Sequence, residues 1–302
     1  MGISDAAQAV TQVTGAAIED GKYLVVRGLG DRYSLSLLDG IILPSIDPLR
    51  NSTSLDLIPA DMIDNVIIRK TYTADLPGNF SGGLAEVSSK SMPDEFYLNA
   101  GISLGYNTNA TFSDEFMRDQ TRSDYDWLGY DDGSRALPDE LREYASFIQS
   151  GDAIGTATLG RQPGNVAERE AINATSKAFE TSFVPEQVSP SLNQGVDISF
   201  GDRFDLGNDK LFGLNVGLNY GRSFSQVAEG QFNTYTSNTN DLGNFVPNVG
   251  RLFDLNESNE NVETGGMLGL TFQFNPNNRF TLKNLYNHLG SYSTTSFSGV
   301  YP

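Results

Sequence analysis

The chain has 302 residues, a net charge of -18 and a pI near 4.3. So few cations argue against a nucleic-acid partner, because a phosphate-binding face needs clustered Lys and Arg. The absence of cysteine excludes disulfide scaffolds, thiolate metal sites and cysteine nucleophiles, and the single histidine, His288, excludes a His-rich zinc site. No run of 18 apolar residues exists, so no transmembrane helix is expected. That leaves a membrane β-barrel open, since its strands are apolar only at alternate positions. No basic and apolar leader precedes the first amphipathic pattern.

Ile3, Ala6, Ala7, Val10 and Val13 share one face at helical spacing, which predicts a helix over residues 3–14. Gly15 is its stop. Short strands are expected near Ala17-Ile18 and Tyr23–Arg27, joined through Asp20-Gly21, a hairpin signature that Asp39-Gly40 repeats between Leu37-Leu38 and Ile41-Ile42. Pro59 fits the first turn of a short helix through Met62-Ile63. Strands at Val66–Lys70 and Leu84–Ser88 follow. Residues 1–93 thus read as a small α+β domain.

From Asp94 onward the pattern changes. Phe96, Leu98, Ala100, Ile102, Leu104 and Tyr106 alternate with small or polar residues. Such a segment is long enough to cross a bilayer as a tilted strand. Four further strands are expected around residues 192–200, 212–220, 267–274 and 280–286, the second imperfect at Gln194. Two long connections, about residues 108–191 and 223–263, alternate with two short ones, Gly201–Lys210 and Asn275–Asn278. Long outer loops alternating with short periplasmic turns are the signature of an outer-membrane barrel. Residues 94–302 read as the N-terminal part of one. A short helix is expected at Leu141–Ile148 within the first loop.

The segment Val25-Val26-Arg27-Gly28-Leu29-Gly30-Asp31-Arg32-Tyr33, continuing to Leu38-Asp39-Gly40 and Leu43-Pro44, resembles the plug domain of TonB-dependent outer-membrane receptors. Leu55–Pro59, Val66–Lys70, Asp75-Leu76-Pro77-Gly78 and Ser81-Gly82-Gly83 follow in matching order. The resemblance covers roughly residues 3–90. It implies an α+β plug followed by antiparallel transmembrane strands of an incomplete barrel, hence a fragment lacking the signal peptide, the TonB-contacting segment and most of the wall. It implies TonB-dependent uptake of a siderophore, vitamin, glycan or peptide across the outer membrane of a Gram-negative bacterium. Implied partners are TonB with ExbB and ExbD, outer-membrane lipid, the ligand, and in some members a capping lipoprotein. No cofactor, metal or catalytic activity is implied.

In that family, plug arginines in these motifs meet glutamates of the wall, which makes Arg27 and Arg69 candidate locking residues with partners expected beyond residue 302. Arg69 departs from the family pattern, being followed by Lys70-Thr71. Gly28, Gly30, Gly40, Gly78, Gly82 and Gly83, with Asp31, Tyr33, Asp39 and Pro44, read as structural, glycine serving tight turns and close approach. Gly28-Leu29-Gly30 also begins like a dinucleotide fingerprint, but Tyr33 replaces the third glycine. Asp131-Asp132 and Asp139-Glu140 offer oxygens to a divalent cation without any EF-hand spacing. Trp127 and Tyr130, with other loop aromatics such as Tyr144, Phe232 and Tyr235, are candidate ligand contacts at the outer mouth.

Two other classes compete. A soluble secreted β-protein that binds or cleaves glycans would also carry aromatic, acidic loops. A plug-like signalling receptor would need a further domain before residue 1.

Overall fold

The computed structural model describes residues 6–19, 22–45, 53, 55, 58, 62–142, 173–174, 176–178, 184–239 and 245–300. The N-terminal domain contains α1 (Ala6–Thr11), β1 (Ala16–Glu19), β2 (Tyr23–Val26), β3 (Ser34–Leu38), β4 (Ile41–Ile42), β5 (Ile63–Arg69) and β6 (Gly83–Ser89). β1 pairs with β2, and a mixed sheet runs in the order β4-β3-β6-β5, with β3 and β6 parallel. β3 is buried along its whole length because it lies between two apolar clusters. One joins Ala6, Ala7 and Val10 of α1 to Leu24, Val26, Leu38, Ala85 and Val87; the other joins Leu35, Leu37 and Leu84.

Two turns explain their sequences directly. Asp39 and Gly40 have φ of 50° and 82°, the paired positive values of a type I′ hairpin. Arg27 and Gly28, at 56° and 73°, do the same between Val26 and Leu29. Gly82 and Gly83 serve close packing instead. A Cβ on Gly83 would lie 2.6 Å from both Val26 methyls. Neither need applies to Gly30 or Gly78, where a side chain would meet open space. Expectations at Asp20-Gly21, Pro59 and residues 143–148 lie outside the described residues.

The second part is one antiparallel sheet, ordered β13-β12-β11-β10-β7. Its strands are β7 (Tyr97–Gly105), β10 (Asn193–Asp205), β11 (Leu211–Thr239), β12 (Phe245–Asn275) and β13 (Asn278–Val300). The two-residue strands β8 (Met117–Arg118) and β9 (Glu186–Gln187) pair within the first long connection. The sheet is open, with β7 and β13 at its edges. The five expected strands are present, but one connection needs correction. Residues 223–263, expected as a loop, mostly continue the strands: β11 and β12 stay paired from Leu211–Gln273 up to Thr239–Phe245, with register shifts at Val227/Gly230 and Thr234/Tyr235. Alternation disappears there because both faces are polar, not because pairing stops.

From the short turns up to Val227 and Glu257 the register keeps one parity. Even-numbered residues such as Leu98, Ile102, Val196, Leu218, Leu268, Phe280 and Leu282 stand on one face, and Ile102 is 81% exposed. Odd-numbered residues face the N-terminal domain, and Asn215, Met267 and Thr271 are buried there.

Gly83→Ala is expected to cost about 1–3 kcal/mol through overpacking against Val26. Gly78→Ala is expected to stay within about 0.5 kcal/mol. Urea unfolding of both variants checks the contrast.

Candidate functional site: the interface between plug and wall

The N-terminal domain seats on the odd face of the sheet through three kinds of contact. The first is apolar: Met267 of β12 belongs to the domain's main core, with Leu285 of β13 packed beside it. A wall methionine thus completes the core of another domain with a flexible side chain that fits irregular space.

The second is a set of hydrogen bonds to the segment that leaves β6. Thr271 donates its hydroxyl to Ser91 O, and Asn215 Nδ2 lies 3.4 Å from Lys90 O. Tyr97 Oη donates to Asn215 Oδ1 at 3.1 Å. These fix the strand exit where the domain hands over to β7.

The third is ionic. Lys22, just before β2, pairs with Glu263 of β12. Lys283 of β13 lies 3.0 Å from Asp39 Oδ1 and donates to Ser89 O at 3.1 Å. Asp39 is held for this by its own domain. It accepts Ser89 N at 2.9 Å and Ser89 Oγ at 2.7 Å, so the type I′ turn aims a fixed carboxylate at the wall. All four charged side chains are only partly exposed.

Neither predicted locking arginine makes these contacts. Arg69 pairs at 3.2 Å with Glu86 on the neighbouring strand, inside its own domain. Arg27 is an exposed turn residue, forced there by the hairpin that it shares with Gly28. The charges that do cross this interface, Lys22, Glu263 and Lys283, carried no sequence signal. Asp39 had been read as a turn residue only. Tyr33 does serve structure: its carbonyl accepts Gly82 N at 2.7 Å and Ser81 N at 3.1 Å. Asp31 begins a single turn of 3-10 helix that ends at Tyr33, and the Pro44 carbonyl accepts the Thr53 hydroxyl at 3.1 Å.

Trp127 and Tyr130 lie elsewhere. They belong to residues 107–135, which pack on the even face, opposite the N-terminal domain. Tyr220 Oη donates to Trp127 O at 2.6 Å, with their rings edge to face. Tyr130 stacks on His288 at 4.0 Å and bonds the Tyr286 hydroxyl. His288 Nε2 donates to Gly129 O at 2.9 Å. An ion network anchors the same segment. Glu260 of β12, 3% exposed, takes Arg222 at 2.7 Å and Arg122 at 2.6 Å; Arg122 reaches Asp126 at 3.0 Å; and Asp126 and Asp131 share Arg135. Burial opposes the charge of Arg135, but hydrogen bonds and charges of Asp126 and Asp131 outweigh it and raise its pKa. Burial, then the Asp126 carboxylate, raises that of Tyr292. Asp131, offered above as a cation ligand, is therefore engaged by an arginine. Among the described residues no cluster of three or more acidic or histidine side chains is arranged to hold a metal.

Residues 2–84 match the family model described as the TonB-dependent receptor plug domain. The match spans nearly the whole N-terminal domain, which is similar to that plug domain, as its motifs suggested. No curated protein matches the chain. Among solved structures, the ferric enterobactin receptor PfeA in complex with BCV-L6 is similar over 95% of this chain and 43% of its own, at 11% identity and TM-score 0.32. The outer membrane transporter YddB from Escherichia coli is similar over 97% of this chain and 33% of its own, at 14% identity and TM-score 0.29. The chain spans less than half of either structure, and likeness at these scores carries no weight below.

Asp39→Ala and Lys283→Ala are expected to be non-additive, with a coupling of about 0.5–3 kcal/mol. Arg69→Ala combined with Lys283→Ala is expected to add. Double-mutant cycles on unfolding of the N-terminal domain, in the intact protein, check both.

Proposed function

We propose that the chain forms the plug and first wall strands of an outer-membrane transporter that takes up its ligand at the expense of TonB-coupled energy. The observation that carries this reading is a plug-domain match whose domain is seated on one face of an amphipathic sheet, while the other face exposes an apolar band. Leu98, Ile102, Leu104, Leu218, Phe280 and Leu282 are all more than half exposed there. A band of that kind is unusual on a protein surrounded by water and suits lipid. It also weighs against a soluble glycan-active protein, which would turn those positions inward. Among the described residues no helix is long and apolar enough to cross a membrane, a statement that leaves a barrel untouched.

Mechanically, the plug closes the lumen side of the wall. Its closure rests on the Lys22–Glu263 and Asp39–Lys283 pairs and on the bonds around Lys90 and Ser91. Lysine contacts of this kind are single point-charge interactions in partly wet surroundings, worth little individually. A pull on the plug breaks them one after another and re-forms them on release. TonB with ExbB and ExbD supplies that pull in this reading, and no bond of the ligand is broken. A siderophore, vitamin, glycan or peptide fits this scheme equally, with or without a capping lipoprotein.

Uptake in Gram-negative cells tests the proposal. Cells expressing the protein should accumulate one ligand of a panel of ferric siderophores, cobalamin, oligosaccharides and peptides, and a protonophore should abolish accumulation. Accumulation insensitive to the proton gradient, or hydrolysis of a panel member by the purified protein, would overturn it. The double variant Lys22→Ala/Lys283→Ala is expected to loosen closure, measured as greater sensitivity of the cells to vancomycin.

A further inference from the structure

The even face of the sheet is divided into two zones at a sharp level. Counting away from the short turns, Leu211, Gln273 and Arg279 share the first row, and Tyr220, Thr264 and His288 share the tenth. A tilted strand crosses the hydrocarbon in about 9–11 residues. Below the tenth row the even face is the exposed apolar band, which on the edge strand β7 runs on through Ile102 to Leu104. On β11, β12 and β13 the face at and above that row is covered by residues 107–135 and carries charge. Arg222 is the next even residue of β11, and Glu260, at 3% exposed, is the second even residue of β12 above Thr264. Glu260 and its arginines would be very costly in hydrocarbon. The covering segment comes down onto the wall without side-chain bulk where Gly129, at φ +82°, lies against Gly290, so that a Cβ on Gly290 would meet Gly129 Cα at 2.6 Å.

We infer that residues 107–135 fold back over the outside of the wall as a collar that rests on the outer leaflet, with Trp127, Tyr130 and Tyr286 set in its headgroup boundary. The partner surface is the lipid bilayer itself. Three observations, independent of one another, place the boundary at one level. On β11 and β12 the apolar exposure gives way there to the buried Phe224 and Val262, and a full membrane span has been completed there. Amphipathic rings gather there, with Trp127 52% exposed and Tyr286 49% exposed. Rings with an apolar body and a polar end are the residues that favour this boundary. Tyr130 and Tyr286 join hydroxyls while their rings stay at the surface. The ion network above holds the collar to the wall, so its height is fixed relative to the strands. This assignment is an alternative to the ligand contact at the outer mouth expected of Trp127 and Tyr130.

The inference rests on the membrane reading of the sheet, and its test separates the two. The chain has no cysteine. Single variants Leu218→Cys, Trp127→Cys and Tyr235→Cys of the intact protein are spin-labelled in phospholipid bilayers. Accessibility to oxygen and to a water-soluble nickel chelate then gives the depth of each label. Leu218 is expected within the hydrocarbon, position 127 at the headgroup boundary and position 235 in water. Position 127 as accessible to the chelate as position 235, with Leu218 still buried in lipid, would overturn the collar and leave the membrane reading standing. Leu218 accessible to the chelate would overturn both. A second reading comes from Glu260→Gln with the label at 127. Release of the collar is expected to raise chelate access there and leave the label at 218 unchanged; no change at 127 would overturn the anchoring role of the network.

Discussion

A strand has two faces, and everything else in this chain depends on which residue falls on which. Side chains alternate with a period of two, so a slip of one residue would exchange the whole set. Between the short turns and the shift at Val227/Gly230 the register holds odd residues toward the plug and even residues away from it. Each hairpin preserves that parity. One face is therefore free to be small and polar, admitting a packed domain, while the other is free to be apolar. Gly213, Gly265 and Gly269 belong to the odd face; a Cβ on Gly213 would come within 3.0 Å of Met92, whereas one on Gly265 or Gly269 would meet Asn219 or Asn215 of the neighbouring strand.

Parity was also the part most legible in the sequence. Alternation at Leu98–Leu104, Phe212–Tyr220 and Leu268–Phe274 marked strands because one face packs the N-terminal domain and, on the proposed reading, the other meets lipid. The alternating long and short connections and the plug motifs added order and identity. Above the tenth row the demand ceases. The even face there meets the polar segment 107–135, so Ser-Gln-Val-Ala-Glu-Gly-Gln reads as a loop although most of it is paired. The Thr- and Tyr-rich stretch at Thr234–Thr236 was the available signal, since such residues favour strands irrespective of burial.

The lock was illegible for a different reason. Arg27 and Arg69 stand in recognisable motifs, whereas Lys22, Glu263 and Lys283 become meaningful only when three segments far apart in sequence are brought together. Asp39 shows how one residue can hide a second role behind an obvious first. Its φ of 50° satisfies a turn, and that same turn presents its carboxylate to Ser89 and to the wall. Likewise Trp127 and Tyr130 were visible as loop aromatics, but nothing local to them shows which side of the wall the loop takes.

The two faces also differ in the kind of charge that they use. Toward the plug, each tie is a lysine against one carboxylate, partly wet, with carbonyls and methionine as neighbours. Such contacts are weak singly and re-form without a fixed geometry. Away from the plug, three arginines and three carboxylates alternate in a chain, Arg222–Glu260–Arg122–Asp126–Arg135–Asp131. Glu260 and Asp126 are almost fully buried, and Tyr292 lies beneath two of the guanidinium groups. Breaking a buried pair costs about 3–5 kcal/mol because a charge is stranded. Planar guanidinium forks also demand one geometry. On the reading proposed here, the domain that moves is tied with lysine and the segment that stays in place is tied with arginine. In that reading, force applied to the plug is spent on the weak set, and the collar keeps its place on the membrane while the plug gives way.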